Sequence, residues 1–253
     1  MSDRPTAADR FRTAQTRLLV ASGAQATSRL LRVRDGYAHV LEAGAGRPVL
    51  LLHGLGGVAA TWSPLLAELQ TAFHLVAADL PGCGLSDLLR SRDEHFRDRA
   101  AGFVAACLDA LGLSRAGIVG SSLGGYCALA FALAQPERVR RLALVGAPAG
   151  IAPWPPLRHR LLAAPGLGRL VGTVAPGASR GRLRRQLGRG PVLHPERLSE
   201  LMLDVIHAAA TLPGARRAQR AMVRSATSWW APSRLTHALR GELGELDTPT
   251  RLV

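Results

Sequence analysis

Four short apolar runs punctuate the first 150 residues: RPVLLLHG (47–54), FHLVAADLPG (73–82), AGIVGS (116–121) and VRRLALVGA (139–147). A strand with one wet face must alternate apolar and polar side chains. Continuous apolar runs of this length, bounded by glycine, suit strands covered on both faces. The gaps are filled by TWSPLLAELQTA (61–72), EHFRDRAAGFVAACLDALGL (94–113) and LGGYCALAFALAQ (123–135), whose apolar residues fall at helical spacing. Strand and helix repeating in this way predict right-handed crossovers and a mostly parallel sheet flanked by helices, an α/β fold. Only 4% of the 253 residues are aromatic, which favours helices and glycine turns over an all-β sandwich.

The flanks read differently. Phe11, Ala14 and Leu18 predict an amphipathic helix over 6–20, and the alternation in SRLLRVRDG and YAHVLEAG around Asp35-Gly36 predicts an N-terminal hairpin. From Pro153 the strands cease, and HPERLSELMLDVIHAAATL (194–212) and its neighbours carry helical signals among loop breakers. The spacing therefore assigns residues 1–150 to the sheet-bearing core, 151–240 to a helical cap insertion, and 241–253 to a return to the core, where LDTPTRLV starts a late strand after a proline-marked entry.

Charge narrows the function classes less than its size suggests. The formal net charge is +14, yet all 32 basic residues are arginine and none is lysine, a bias that runs through the whole chain. Residues 151–240 hold fifteen arginines against Glu196, Glu200 and Asp204. No aromatic residues interleave with these arginines and no recognition motif is present, so nucleic acid is not the expected partner. An anionic surface or an acidic substrate remains open. Cys83, Cys107 and Cys127 have no metal-ligand spacing, and an odd count argues against a disulfide framework. A reducing, cytoplasmic location is expected, with no metal, no cofactor and no transmembrane segment. Oligomeric state is not readable.

Chemistry concentrates where the apolar runs end, because ligands of parallel sheets bind beyond the carboxyl ends of the strands. HGLGG (53–57), DLPGCGLSD (79–87) and GSSLGG (120–125) occupy those positions. Gly120-Ser121-Ser122-Leu123-Gly124 fits the pattern G-x-S-x-G between a strand and a helix, in which the central serine sits on a strained turn. Ser122 is the candidate nucleophile, while the Ser121 hydroxyl is expected to support the turn. The Leu123 amide, at a helix N-terminus, suits a developing oxyanion. The second donor is expected from HGLGG, where Gly54 and Gly56 free the backbone: the Leu55 amide first, that of Gly56 second. His53 and Asp79 are read as structural, and Trp62, Cys107 and Cys127 as packing residues. Trp229 and Trp230 fit either an acyl pocket or packing.

Taken together, these three motifs and the helical stretch after them resemble the α/β-hydrolase fold, in particular its cap-bearing esterase and carbon–carbon-bond hydrolase branch. The resemblance covers most of residues 30–150 and the last eight residues. It implies a small-molecule acyl substrate, an ester, thioester or activated carbon–carbon bond, attacked by Ser122. Epoxide hydrolases and haloalkane dehalogenases of the same fold carry aspartate at this position. The family order is serine, acid, histidine, with the last two on loops after late strands. Here the late strand starts near Thr250 and the chain stops at Val253, so a truncated chain lacking its last core strands and general base is expected. His159, His194, His207 and His237 follow Ser122, and Asp204 and Asp247 are possible acids, but none stands where the family places its partners. Two alternatives stay open: an acyltransferase on the same fold, and a non-catalytic binding module whose basic cap holds an anionic ligand.

Overall fold

A computed structural model describes residues 5–34, 36–88, 95–146, 157, 161, 180–188, 194–226, 239, 242–246 and 248–253. The chain opens with α1 (Ala7–Ser22), started by a capping box in which Thr6 and Asp9 satisfy each other's backbone amides, and stopped by Gly23 at φ 73°. Strands β1 (Ala26–Val33) and β2 (Gly36–Ala43) form the expected antiparallel hairpin. Strands β3 (Arg47–Leu52), β4 (Phe73–Ala78), β5 (Ala116–Ser121) and β6 (Val139–Val145) follow, with α2 (Ser63–Leu69), α3 (Phe96–Ala110) and α4 (Leu123–Ala134) between them. Helices α5 (Arg180–Gly188), α6 (Glu200–Ala210) and α7 (Ala215–Ala226) precede the short β7 (Thr250–Leu252). The seven strands run in the order β1-β2-β4-β3-β5-β6-β7; β3, β4, β5, β6 and β7 are mutually parallel, and β2 meets β4 antiparallel.

The apolar runs are continuous because each strand feeds two cores. Leu50 and Leu52 enter one core with α3 and α4, whereas Leu51 enters the other, beneath α1 and α2. Truncating a buried leucine of this kind typically costs about 2–5 kcal/mol. Strand β2, the second arm of the hairpin, is covered on both faces. Ala38 and Val40 face the first core while Leu41 and Ala43 face the second, where Phe11, Leu18 and Leu19 of α1 pack. Helix α6 joins that second core through Leu203 and Val205. Among the described residues, no helix is long and apolar enough to cross a membrane, and no cluster of histidine, cysteine and carboxylate side chains could hold a metal ion.

Candidate active site

The three motifs converge at the carboxyl ends of β3, β4 and β5. Ser122 lies between β5 and α4 at φ 49° and ψ −109°, and among the described residues it is the one non-glycine at positive φ. A serine at a helix start ordinarily sits in the β region and caps the helix with its hydroxyl. Ser122 does not: its side chain makes no capping bond. The turn is half-exposed, whereas Leu123 and the helix behind it are buried.

Two glycines make this turn possible by close approach. An added Cβ at Gly124 would stand 2.2 Å from the Leu52 carbonyl oxygen, and one at Gly120 would stand 2.5 Å from the Gly124 carbonyl oxygen. The first turn of α4 therefore rests directly on the end of β3 and on β5. Gly54 lies over the elbow, its Cβ position 3.3 Å from the Ser122 Cβ. Gly57 donates to the Gly54 carbonyl at 3.0 Å, closing a turn in which Gly56 adopts φ 81°. Among the described residues, neither the Leu55 amide nor the Leu123 amide has an acceptor. Ser121 departs from expectation: its hydroxyl makes no hydrogen bond to a described residue, and the turn is held by backbone packing instead.

His53 and Asp79 brace these loops. His53 is 1% exposed; its Nδ1–H donates to the Gly54 carbonyl at 2.8 Å and its Nε2 accepts from the Leu80 amide at 2.9 Å. Burial lowers its pKa below the usual 6.5, against the opposing pull of Asp79, so the ring is held neutral with both nitrogens occupied. Asp79, fully buried, accepts from the Ala59 amide at 2.6 Å and the Leu85 amide at 3.0 Å. It ties down its own turn, as expected, and also meets His39 at 2.7 Å. Position 84 must be glycine, because a Cβ there would fall 1.9 Å from the Asp79 carboxylate.

No described histidine bonds Ser122. His194 pairs with Glu196, and His207 lies on α6 with a buried, unpartnered Nε2. His159, His237, Asp247, Trp229 and Trp230 lie outside the described residues. Cys107 and Cys127 are buried thiols on α3 and α4, with burial pushing both pKa values up to about 12. Trp62, in a 3₁₀ turn rather than a regular α-helix, packs against the second core with its indole nitrogen buried and unpartnered. A cavity of about 1350 Å³ runs from the DLPG turn to α7; Leu80, Phe96, Leu123 and Cys127 line it, with Arg99 and Arg217 among its polar residues.

The chain is similar in sequence and in fold to known proteins. A 2-hydroxy-6-oxononadienedioate/2-hydroxy-6-oxononatrienedioate hydrolase of Paraburkholderia phymatum is 37% identical over 134 residues, 49% of this chain and 46% of that protein. A 2-hydroxy-6-oxo-2,4-heptadienoate hydrolase of Pseudomonas putida is 42% identical over 110 residues, 42% of this chain and 39% of that protein. The matched region thus spans less than half the length of these relatives. The crystal structure of naproxen esterase from Bacillus subtilis superposes with a TM-score of 0.68 at 19% identity, covering 99% of this chain and 81% of that one, a likeness of fold. Residues 47–187, more than half of the chain and inclusive of all three motifs, match the family model described as alpha/beta hydrolase fold, and the chain belongs to that family.

Proposed function

We propose that this chain is a serine hydrolase that cleaves a carbon–carbon bond beside a ketone, as in a 2-hydroxy-6-oxo-dienoate, or else an ester or thioester. The observation that carries the reading is the Ser122 backbone. A β-carbon-bearing residue in that region costs about 1–3 kcal/mol unless its surroundings impose it, and the hydroxyl it carries is withdrawn from capping, in a loop region where the Leu55 and Leu123 amides have no acceptor among the described residues. Ser122 Oγ attacks the carbonyl carbon, and the Leu55 and Leu123 amides hold the resulting oxyanion. The carbon–carbon, carbon–oxygen or carbon–sulfur bond then breaks, and water releases the acyl group from Ser122. A general base outside the described residues takes the serine proton and returns it to the leaving group.

The cavity beside Leu123 suits an apolar acyl chain, with Arg217 in its lining to receive a carboxylate. Helix α7 walls it through Ala218, Ala221 and Met222, whereas α5 and α6 pack against the second core. Three free cysteines fit a reducing compartment such as the cytoplasm.

The test is hydrolysis of 2-hydroxy-6-oxohepta-2,4-dienoate and of 4-nitrophenyl butyrate by this 253-residue chain and by Ser122→Ala. Turnover of at least one of the two substrates is expected to depend on Ser122 and to be lost in Ser122→Ala. Equal rates in both proteins for both substrates contradict the assignment.

A further inference from the structure

A second serine, remote in sequence from the elbow, stands in a hydrogen-bonded relay. Ser28, His39 and Asp79 lie across the neighbouring strands β1, β2 and β4. The hairpin register pairs Leu30 with His39, so Ser28, two residues from Leu30 and on the same face, is the diagonal neighbour of His39. Strand β2 pairs with β4 through Val40 and Ala78, and the Asp79 amide extends that ladder to the His39 carbonyl at 2.9 Å. His39 is thereby held between a carboxylate and a hydroxyl: Nδ1 is 2.7 Å from Asp79 Oδ2, and Nε2 is 2.8 Å from Ser28 Oγ.

The proton positions follow from the partners. Asp79 already accepts two backbone amides, from Ala59 and Leu85, and an ionised carboxylate only accepts. In the neutral ring Nδ1 therefore carries the proton, which leaves Nε2 to accept the Ser28 hydroxyl. His39 and Asp79 are 1% and 0% exposed, whereas Ser28 is exposed on the edge strand. An accessible hydroxyl, a buried imidazole fixed in one tautomer and a carboxylate orienting it are the parts of an activated serine, which is recognised by geometry and not by chain order.

We propose that Ser28 is a second nucleophile of this protein, with His39 as its base and Asp79 as the group that positions His39, and that it accepts an acyl group from an activated ester. Ser28 Oγ bonds to the carbonyl carbon while its proton passes to His39 Nε2. The bond from that carbon to the leaving oxygen breaks, and the leaving oxygen takes the proton from His39. Ser28 sits within a strand and not at a strand-to-helix turn, so no oxyanion site of the Ser122 kind surrounds it. The reaction is accordingly a single acylation by donors with good leaving groups. It is independent of the function proposed for Ser122.

The probe is an alkyl fluorophosphonate applied to the Ser122→Ala protein, with peptide mapping of the adduct against time; phosphorus takes the place of the carbonyl carbon and fluoride leaves. Ser28 is expected to label about 10²-fold faster than Ser114, an exposed serine of the same protein with no histidine partner. His39→Gln is expected to bring Ser28 down to the Ser114 rate. Equal labelling of Ser28 and Ser114 in the folded Ser122→Ala protein overturns the proposal, and that comparison stands even if His39→Gln does not fold. Ser28 and Ser122 fall in different peptides, so failure at one leaves the result at the other intact.

Discussion

At the scale of single residues, the elbow is a case of backbone shape dictated by what lies behind it. Ser122 takes a left-handed φ because α4 must begin within contact of β3, and Gly124 permits that contact. Gly124→Ala would drive a methyl group into the Leu52 carbonyl, which is backbone and cannot step aside. The expected loss is about 3 kcal/mol or more, read as a lowered urea midpoint or failure to fold. Gly102→Ala, in α3 with open space around its Cβ position, should instead be neutral or stabilising by about 0.5–1 kcal/mol. His53 supplies a pH test. Its folded pKa is depressed by burial from an ordinary 6.5, so below pH 6.5 the unfolded chain binds a proton that the folded chain refuses. Stability should fall as pH drops through that value, by at most about 1.4 kcal/mol per pH unit from this one group. The difference between wild type and His53→Asn in urea midpoints from pH 7.5 to 5 should carry that slope; parallel curves contradict it. The serine elbow was legible in the sequence because its signal is local, a glycine-flanked serine between an apolar run and a helix. The pairing of His39 with Asp79 was not. It requires β2 to lie beside β4, with β3 entered from the far side of β4, and nothing in either stretch specifies that order.

Elements were legible in proportion to how far their burial pattern depends on themselves. The four core strands showed as apolar runs and α4 as a helical pattern; the amphipathic reading of α4 is corrected by the structure, which buries it from Leu123 to Ala132. The hairpin showed as two alternating stretches around Asp35-Gly36, but the packing of α1 against the Leu41 and Ala43 face of its second strand did not, because it joins separate segments. The return to the core after residue 240 is pinned by a contact no periodicity announces. Arg97 on α3 makes a two-pronged hydrogen bond to the Glu242 carboxylate, both arms at 2.6 Å. This holds the Glu242 carboxyl below, and the Arg97 guanidinium above, their ordinary pKa values. Arg97→Ala should leave the sheet from β2 to β6 unchanged while raising amide hydrogen exchange across 242–253 several-fold. Unchanged exchange there would show that β7 pairing alone anchors the segment.

At the scale of the whole molecule, the parallel sheet gathers three loop motifs at one end, and the cavity runs between those loops and α7. The fold family was legible because the motif order along the chain matches the strand ends that the sheet brings together. The acyl substrate was not, since selectivity depends on side chains of separate helices meeting across a cavity. The central claim is that this assembly exists to present Ser122, and covalent capture tests it most directly. The intact protein is treated with an alkyl fluorophosphonate at sub-stoichiometric dose and the adduct mapped by peptide mass spectrometry. The account predicts that Ser122 is the first serine modified and that Ser122→Ala abolishes this fast phase. An unmodified Ser122 in folded protein, with the label distributed over other exposed serines, would contradict it.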